Sequence, residues 1–269
     1  MAQQAAIMGV MNLSKDSFYG PSVCAHTDTI IAQADQMIKD GADIIDIGAE
    51  ATNPGLKGGS ALTPEQECQQ VVAAVEAIAS RFDVSISVDT SKALVMENAV
   101  AVGAHMINDQ RALCQEGALA QAVELGVPVC LMHMFGFDRK ARSANLDVTL
   151  DEIIDFLRAR IAVALEAGMQ PENIIIDPGF GHGCYGKNTL ENAYMIKHLE
   201  RFCGLGYKVL VGMSRKTAIG DMLGGVEPDQ RLYGSLAAAL IAQQNGASII
   251  RVHDVAATKD ALKVAACLA

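Results

Sequence analysis

Tryptophan is absent from this chain, and aromatic residues make up only 4% of its 269 positions. Platforms for stacking strings of bases or sugars are therefore scarce. Basic residues are in deficit, with 21 Lys and Arg against 31 Asp and Glu and a formal charge of -10. Such a surface repels polyanions, which argues against nucleic acid and leaves small anions to a local basic pocket. No apolar run approaches the roughly 20 residues of a membrane span, and the N-terminus lacks the basic and apolar regions of a signal peptide. The seven cysteines (24, 68, 114, 130, 184, 203 and 267) include no CxxC pair. Their odd number and spacing fit reduced thiols in a cytoplasmic protein. Charged residues are only 19% while apolar ones reach 51%, so disorder is excluded and one large core is expected. No shift of composition marks a second domain, so a single domain over 1–269 is expected.

Eight apolar runs alternate with amphipathic stretches. The runs lie at 5–12, 43–48, 85–89, 105–109, 128–133, 173–179, 208–214 and 248–254. Helical spacing is expected at about 27–40, 64–81, 91–102, 116–126, 150–168, 188–203, 229–245 and 256–268. Thr63 and Pro64 read as the cap and first position of the second of these, and Gly168 as the end of the fifth. Strands apolar on both faces, each followed by a helix, predict a single (β/α)8 barrel of the α/β class. A doubly wound sheet is the runner-up, but no GxGxxG follows the first strand. The long connections 13–26, 49–63, 134–149, 180–188 and 215–228 all follow strands. That places them at the C-terminal face, where barrel active sites form.

Nearly every strand finishes on a residue foreign to an apolar core: Asn12, Asp46, Asp89, Asn108 with Asp109, His133, Asp177, Ser214 with Arg215 and Lys216, and Arg251 with His253. Half-buried charges need partners, a ligand or a metal. Asp89, Asn108 and Asp177 offer acceptors and an amide, which suits a flat heterocycle with ring nitrogens and amino groups, as in a pterin or purine. Lys216, Arg251 and His253 come from strands 7 and 8, the corner that often binds phosphate in barrels. Asn12 offers an oxygen to Mg2+, which takes few protein ligands and fills its shell with phosphate oxygens and water. A polar heterocycle carrying a phosphate or diphosphate is the ligand these residues suggest.

Plainer readings stand beside these for single residues. Asp46 reads equally as a cap of loop N–H groups or as a ligand contact. His133 reads as a core histidine, since no second His or Cys stands at ligand spacing. His105 opens a strand and reads as structural. His182 and Cys184, in a glycine-rich loop, do not by themselves make a metal pair. The Arg139-Lys140-Arg142 run reads as solvated surface able to steer an anion. Met132 and Met134 fit either plain core or a pocket wall. Gly212 fits tight packing, or a planar ring lying on the backbone.

In this order, MGVMNLSKDSF, GADIIDIGAEATNPG, ISVDTSK, GAHMINDQRAL, PVCLMHM, IIIDPGFG, GKN, VLVGMSRK, LYGSLAAALIA and IIRVHDV resemble the motifs of dihydropteroate synthases over essentially the whole chain. The resemblance implies a TIM barrel that joins 6-hydroxymethyl-7,8-dihydropterin diphosphate to 4-aminobenzoate. It places Asp89, Asn108, Met132, Asp177, Gly212 and Lys216 at the pterin. It places Asn12, Arg251 and His253 at the diphosphate, with Asn12 on Mg2+. Thr52, Pro54, Phe180, Ser214 and Lys216 fall near the aminobenzoate. Asp89, Asp177, Lys216, Arg251 and His253 form the implied catalytic set. The family is a sulfonamide target and usually a homodimer built on the later helices. Two alternatives of other kinds are a pterin-binding relative without the transfer, and an enzyme resembling methyltetrahydrofolate:corrinoid methyltransferases.

Four features depart from the family pattern. Asn53 stands where an arginine is usual, and Lys15 where a proline is usual. His182-Gly183-Cys184 lengthen the loop before Tyr185-Gly186-Lys187-Asn188. Gln110 takes a usually aliphatic place beside the pterin.

Overall fold

A computed structural model describes residues 4–13, 22–49, 62–136 and 145–268, with side chains in the first helix from residue 27 onward. Eight parallel strands close into a barrel in chain order: β1 (Ala6–Asn12), β2 (Ile44–Gly48), β3 (Ser85–Asp89), β4 (Met106–Asp109), β5 (Val129–Met132), β6 (Ile174–Asp177), β7 (Lys208–Val211) and β8 (Ile249–Val252). Among the described residues ten helices surround them: α1 (Ser22–Lys39), α2 (Pro64–Ala79), α3 (Ala93–Ala101), α4 (Ala118–Leu125), α5 (Leu146–Glu166), α6 (Thr189–Lys197), α7 (Glu200–Cys203), α8 (Thr217–Met222), α9 (Leu232–Gln244) and α10 (Val255–Leu268). The barrel expected from the alternation is present. β8 pairs with β1, so no strand edge is left open.

Local chemistry sets the element ends. Thr63 accepts from the Gln66 amide, the Gln66 side chain returns to the Thr63 N–H, and Pro64 occupies the first turn. Gly168, at φ +102°, turns the chain out of α5. Several expected bounds need correction: α1 begins at Ser22 and α5 at Leu146, inside the connections expected at 13–26 and 134–149. The stretch 188–203 is broken at His198 into α6 and α7, and Asn245 Nδ2 bonds the Ile196 and Lys197 carbonyls at 2.8 and 3.4 Å. The connection 215–228 contains α8.

Strand alternation divides the core in two. Ile7, Ile45, Ile47, Ile86, Val88, Ile107, Leu131, Ile176, Val209 and Ile250 face outward under the helices. Met8, Met106, Cys130, Ile175, Leu210 and Ile249 point inward and form an apolar floor inside the barrel. Burial raises the Cys130 thiol well above its ordinary value, and nearby carboxylates add to that, so this cysteine is an inert part of the floor. No described helix is long and apolar enough to cross a membrane.

Candidate functional site

Further along most of the strands, the inward positions become polar, while Val10 and Met132 keep apolar side chains there. Asp46, Ser87, Asn108 and Arg251 lie above the floor, and Asn12, Asp89, Asp177, Gly212 and His253 reach the rim. Register enforces this: Gly48 pairs with Asp89, Asp89 with Asn108, and Met132 with Asp177. A step of two residues returns a side chain to the same face, so one barrel mouth collects them all.

Arg251 is the centre of the arrangement. Its Nε donates to Asp46 Oδ2 at 2.6 Å, and its Nη2 donates to Asp89 Oδ2 at 3.0 Å. Asn108 Nδ2 donates to the same Asp46 oxygen at 3.1 Å. Burial works against the guanidinium charge, but Asp46 and then Asp89 outweigh it and hold Arg251 above its ordinary value. Asp46, fully buried, thus anchors Arg251 from beneath and neither caps a loop nor reaches the rim. Asp89 is pushed up to about 7 by burial and by Asp46, against the opposing pull of Arg251 and Gln110. Burial also raises Asp177, opposed by Lys216, by the Gly179 N–H on its Oδ1 at 2.7 Å, and by Lys187 and Arg251. His253 is lowered by burial and by Arg251, and Ser214 Oγ accepts from its backbone N–H at 3.2 Å.

Lys216 Nζ donates to the Phe180 carbonyl at 2.6 Å and lies 4.1 Å from the centroid of the Tyr185 ring. A methyl group on Gly212 would meet only Arg251 Cβ at 3.8 Å and Lys216 Nζ at 4.0 Å, so the backbone there is open to a flat ring. Met132 is buried at the end of β5, facing inward. Four buried oxygens of this interior have no hydrogen-bond partner among the described residues: Asp46 Oδ1, Ser87 Oγ, Asn108 Oδ1 and Gln110 Oε1. Native interiors hold few such atoms. Their concentration here marks a place for an N–H-bearing ligand.

Phe180 is fully buried and packs with the larger apolar cluster, and its carbonyl accepts from Lys216. Tyr185 is the aromatic beside Lys216, and its place just before Gly-Lys-Asn was the available signal. Asp109 and Arg215 leave the ring of polar strand ends. Asp109 points outward and binds the Arg111 and Leu113 N–H groups at 2.8 and 2.7 Å. Arg215, at φ +55°, makes a bidentate pair with Asp254 at 2.6 and 2.7 Å. Lys187, missed from the sequence, is buried with Nζ 3.0 Å from His133 Nδ1 and 3.3 Å from the Tyr185 carbonyl. His133 is the expected core histidine, edge-on to Phe135 and Phe156. Gly179 must be glycine: a Cβ would stand 1.8 Å from the His133 carbonyl oxygen. Lys15, Thr52, Asn53, Pro54, Arg139, Lys140 and Arg142 lie outside the described residues.

Comparison with known proteins shows the family. A family profile described as pterin binding enzyme matches residues 8–253. The dihydropteroate synthase of Haemophilus influenzae is 45% identical, over 96% of this chain and 92% of that protein. The Coxiella burnetii dihydropteroate synthase, solved in complex with pteroic acid, superposes with a TM-score of 0.89 at 43% identity and covers 100% of this chain and 94% of that one. The Xanthomonas albilineans dihydropteroate synthase with 4-aminobenzoic acid gives a TM-score of 0.86 at 40% identity, over 98% and 92% of the two chains. With a family profile over most of the chain, relatives more than 40% identical over nearly its whole length and a shared barrel, the chain belongs to the dihydropteroate synthase family of pterin-binding transferases.

Proposed function

We propose that this chain joins 6-hydroxymethyl-7,8-dihydropterin diphosphate to 4-aminobenzoate and releases diphosphate through the groups described above. The observation that carries the reading is the position of Arg251, between two carboxylates and beside a patch of unpartnered acceptors. Asp177, Asn108 and Asp89 receive the N–H groups of the pterin, and Gly212 and Met132 flank its faces. The bond from the pterin methylene carbon to the diphosphate oxygen breaks, and its electron pair leaves with the diphosphate. Arg251 offsets the charge that develops on that oxygen, and His253 offers it a ring N–H. The ionised carboxylates and the conjugated ring stabilise the electron-poor methylene. The aniline nitrogen forms the new C–N bond and then sheds a proton, which leaves to water because an anilinium is strongly acidic. Lys216, fixed by the Phe180 carbonyl and the Tyr185 ring, and Ser214 stand where the second substrate approaches. Thr52 and Pro54 are further proposed contacts of the aminobenzoate. No covalent enzyme intermediate is needed.

Magnesium fits this donor set as a hydrated ion. No three His, Cys, Asp or Glu converge into a metal cage among the described residues, and Asn12 presents one neutral amide oxygen at the exposed end of β1. An ion that keeps several waters and takes phosphate oxygens needs no more. Asn12 would hold the Mg2+, which when bound would supply positive charge to the departing diphosphate. The test is product formation from both substrates with Mg2+. Tight pterin binding without pteroate formation would favour the binding-only relative and reject this reading.

The chain further acts as a homodimer in this reading. Support comes from the apolar side chains exposed on neighbouring late elements: Met222 of α8 with Leu223, Tyr233 and Ile241 of α9, and Val264 and Leu268 of α10. Light scattering should report twice the chain mass. Tyr233→Glu with Ile241→Glu should return a folded monomer, and a monomeric wild type would refute the pairing. A single domain over residues 1–269 in the cytoplasm completes the proposal.

A further inference from the structure

Gln110 lies two residues beyond Asn108, on the same inward-facing phase of β4, and is almost fully buried at the mouth. Its Nε2 donates to both oxygens of Asp89, each at 2.8 Å. A carboxylate only accepts, so this contact fixes the amide with nitrogen toward Asp89 and Oε1 turned away. Oε1 is buried and has no partner among the described residues. A side chain needed only to fill space here would be apolar. A buried amide oxygen left unpaired is unfavourable and calls for a donor.

Acceptor capacity shows which donor. An ionised carboxylate has about four acceptor directions. At Asp89 two are met by Gln110 and a third by Arg251 Nη2 at 3.0 Å, which leaves room for one more N–H. At Asp177 the Gly179 N–H meets one, which leaves room for the two parallel N–H groups of an amino-pyrimidine edge. A 7,8-dihydropterin held there by that edge has one N–H left on its other ring, at N8. Oxidation to the aromatic pterin turns N8 into an acceptor, which would then face Asp89 and Gln110 Oε1, acceptors both.

We propose that Gln110 is a specificity-determining residue that reads the reduction state of the ring: Oε1 and the spare Asp89 direction together receive the N8–H. This inference rests on the pterin reading above and deepens it. The test is calorimetry under nitrogen with 6-hydroxymethyl-7,8-dihydropterin and 6-hydroxymethylpterin, on the wild type, Gln110→Leu and Gln110→Met. The wild type should prefer the dihydro ring. Both variants should cut that preference about tenfold, through weaker dihydropterin binding. Thermal melting confirms that the variants fold, and methionine nearly conserves the side-chain length if leucine does not fold. A preference within about twofold of wild type, even if both affinities fall together, would overturn the proposal, because a purely structural role weakens both rings alike. A wild type that binds neither pterin would instead remove the reading beneath it.

Discussion

Arg251→Met is the substitution that most directly tests how the mouth is held together. It removes the Nε donor 2.6 Å from Asp46 and the Nη2 donor 3.0 Å from Asp89, and leaves the two carboxylates without their common cation. Removing one partner of a buried ion pair costs roughly 3–5 kcal/mol. Arg251 keeps 19% of its side chain exposed, so water relieves part of the loss and about 3 kcal/mol is expected. At about 2–4 °C per kcal/mol for a chain of this size, melting should fall by roughly 6–12 °C. The pH dependence gives a sharper test. An unfolded aspartate titrates near ~3.9, whereas Asp89 is raised to about 7 even with Arg251 present. Its ionised form therefore opposes folding, and this contribution to stability is lost as pH rises from the unfolded value through about 7. Loss of the arginine raises Asp89 further, so the variant should be hurt more at about pH 8.5 than at about pH 5.5. Adding Asp46→Asn removes one of the stranded charges and should recover most of the melting temperature. It should not recover turnover, which loses about a hundredfold with the leaving-group cation. Equal destabilisation at both pH values, or no recovery by Asp46→Asn, would refute the account of Arg251 as the shared partner of two acids.

Three further outcomes are expected. Pterin affinity of the wild type should rise as pH increases through about 7, because the ionised Asp89 accepts an N–H more strongly than the acid and at more positions; a flat titration curve from about pH 5.5 to 8.5 counts against it. Asp254→Asn weakens the bidentate hold on Arg215, whose backbone sits in the left-handed region beside Lys216, so KM for aminobenzoate should rise several-fold. Unaltered kinetics would leave that pair without a role in placing Lys216. Asn53→Arg should lower the aminobenzoate KM, since a charge-assisted bond is worth roughly 1.5–3 kcal/mol, and an unchanged or higher KM would show that the missing charge is immaterial.

Much of the fold was legible because it repeats. Eight runs with apolar residues on both faces can be buried only between a floor and a ring of helices, and the observed strands fall inside all eight predicted runs. The cap at Thr63 and the turn at Gly168 were readable because each depends on chemistry within four residues. The break at His198 was not, because Asn245, far along the chain, bonds the carbonyls at the end of α6. The site was legible as a list and not as an arrangement. Asn108 and Asp109 are neighbours in sequence but face opposite sides of β4, and Arg215 and Lys216 part in the same way after β7.

From the sequence alone came the barrel, the family likeness and the polar rim, since periodicity and ordered motifs are properties of the chain itself. Tertiary structure decided that Asp46 serves Arg251, that the Tyr185 ring and the Phe180 carbonyl both meet Lys216, and that Gln110 grips Asp89. Each of those is a pairing between residues on different strands or loops, with energies set by distance and burial after closure, and a linear sequence specifies neither.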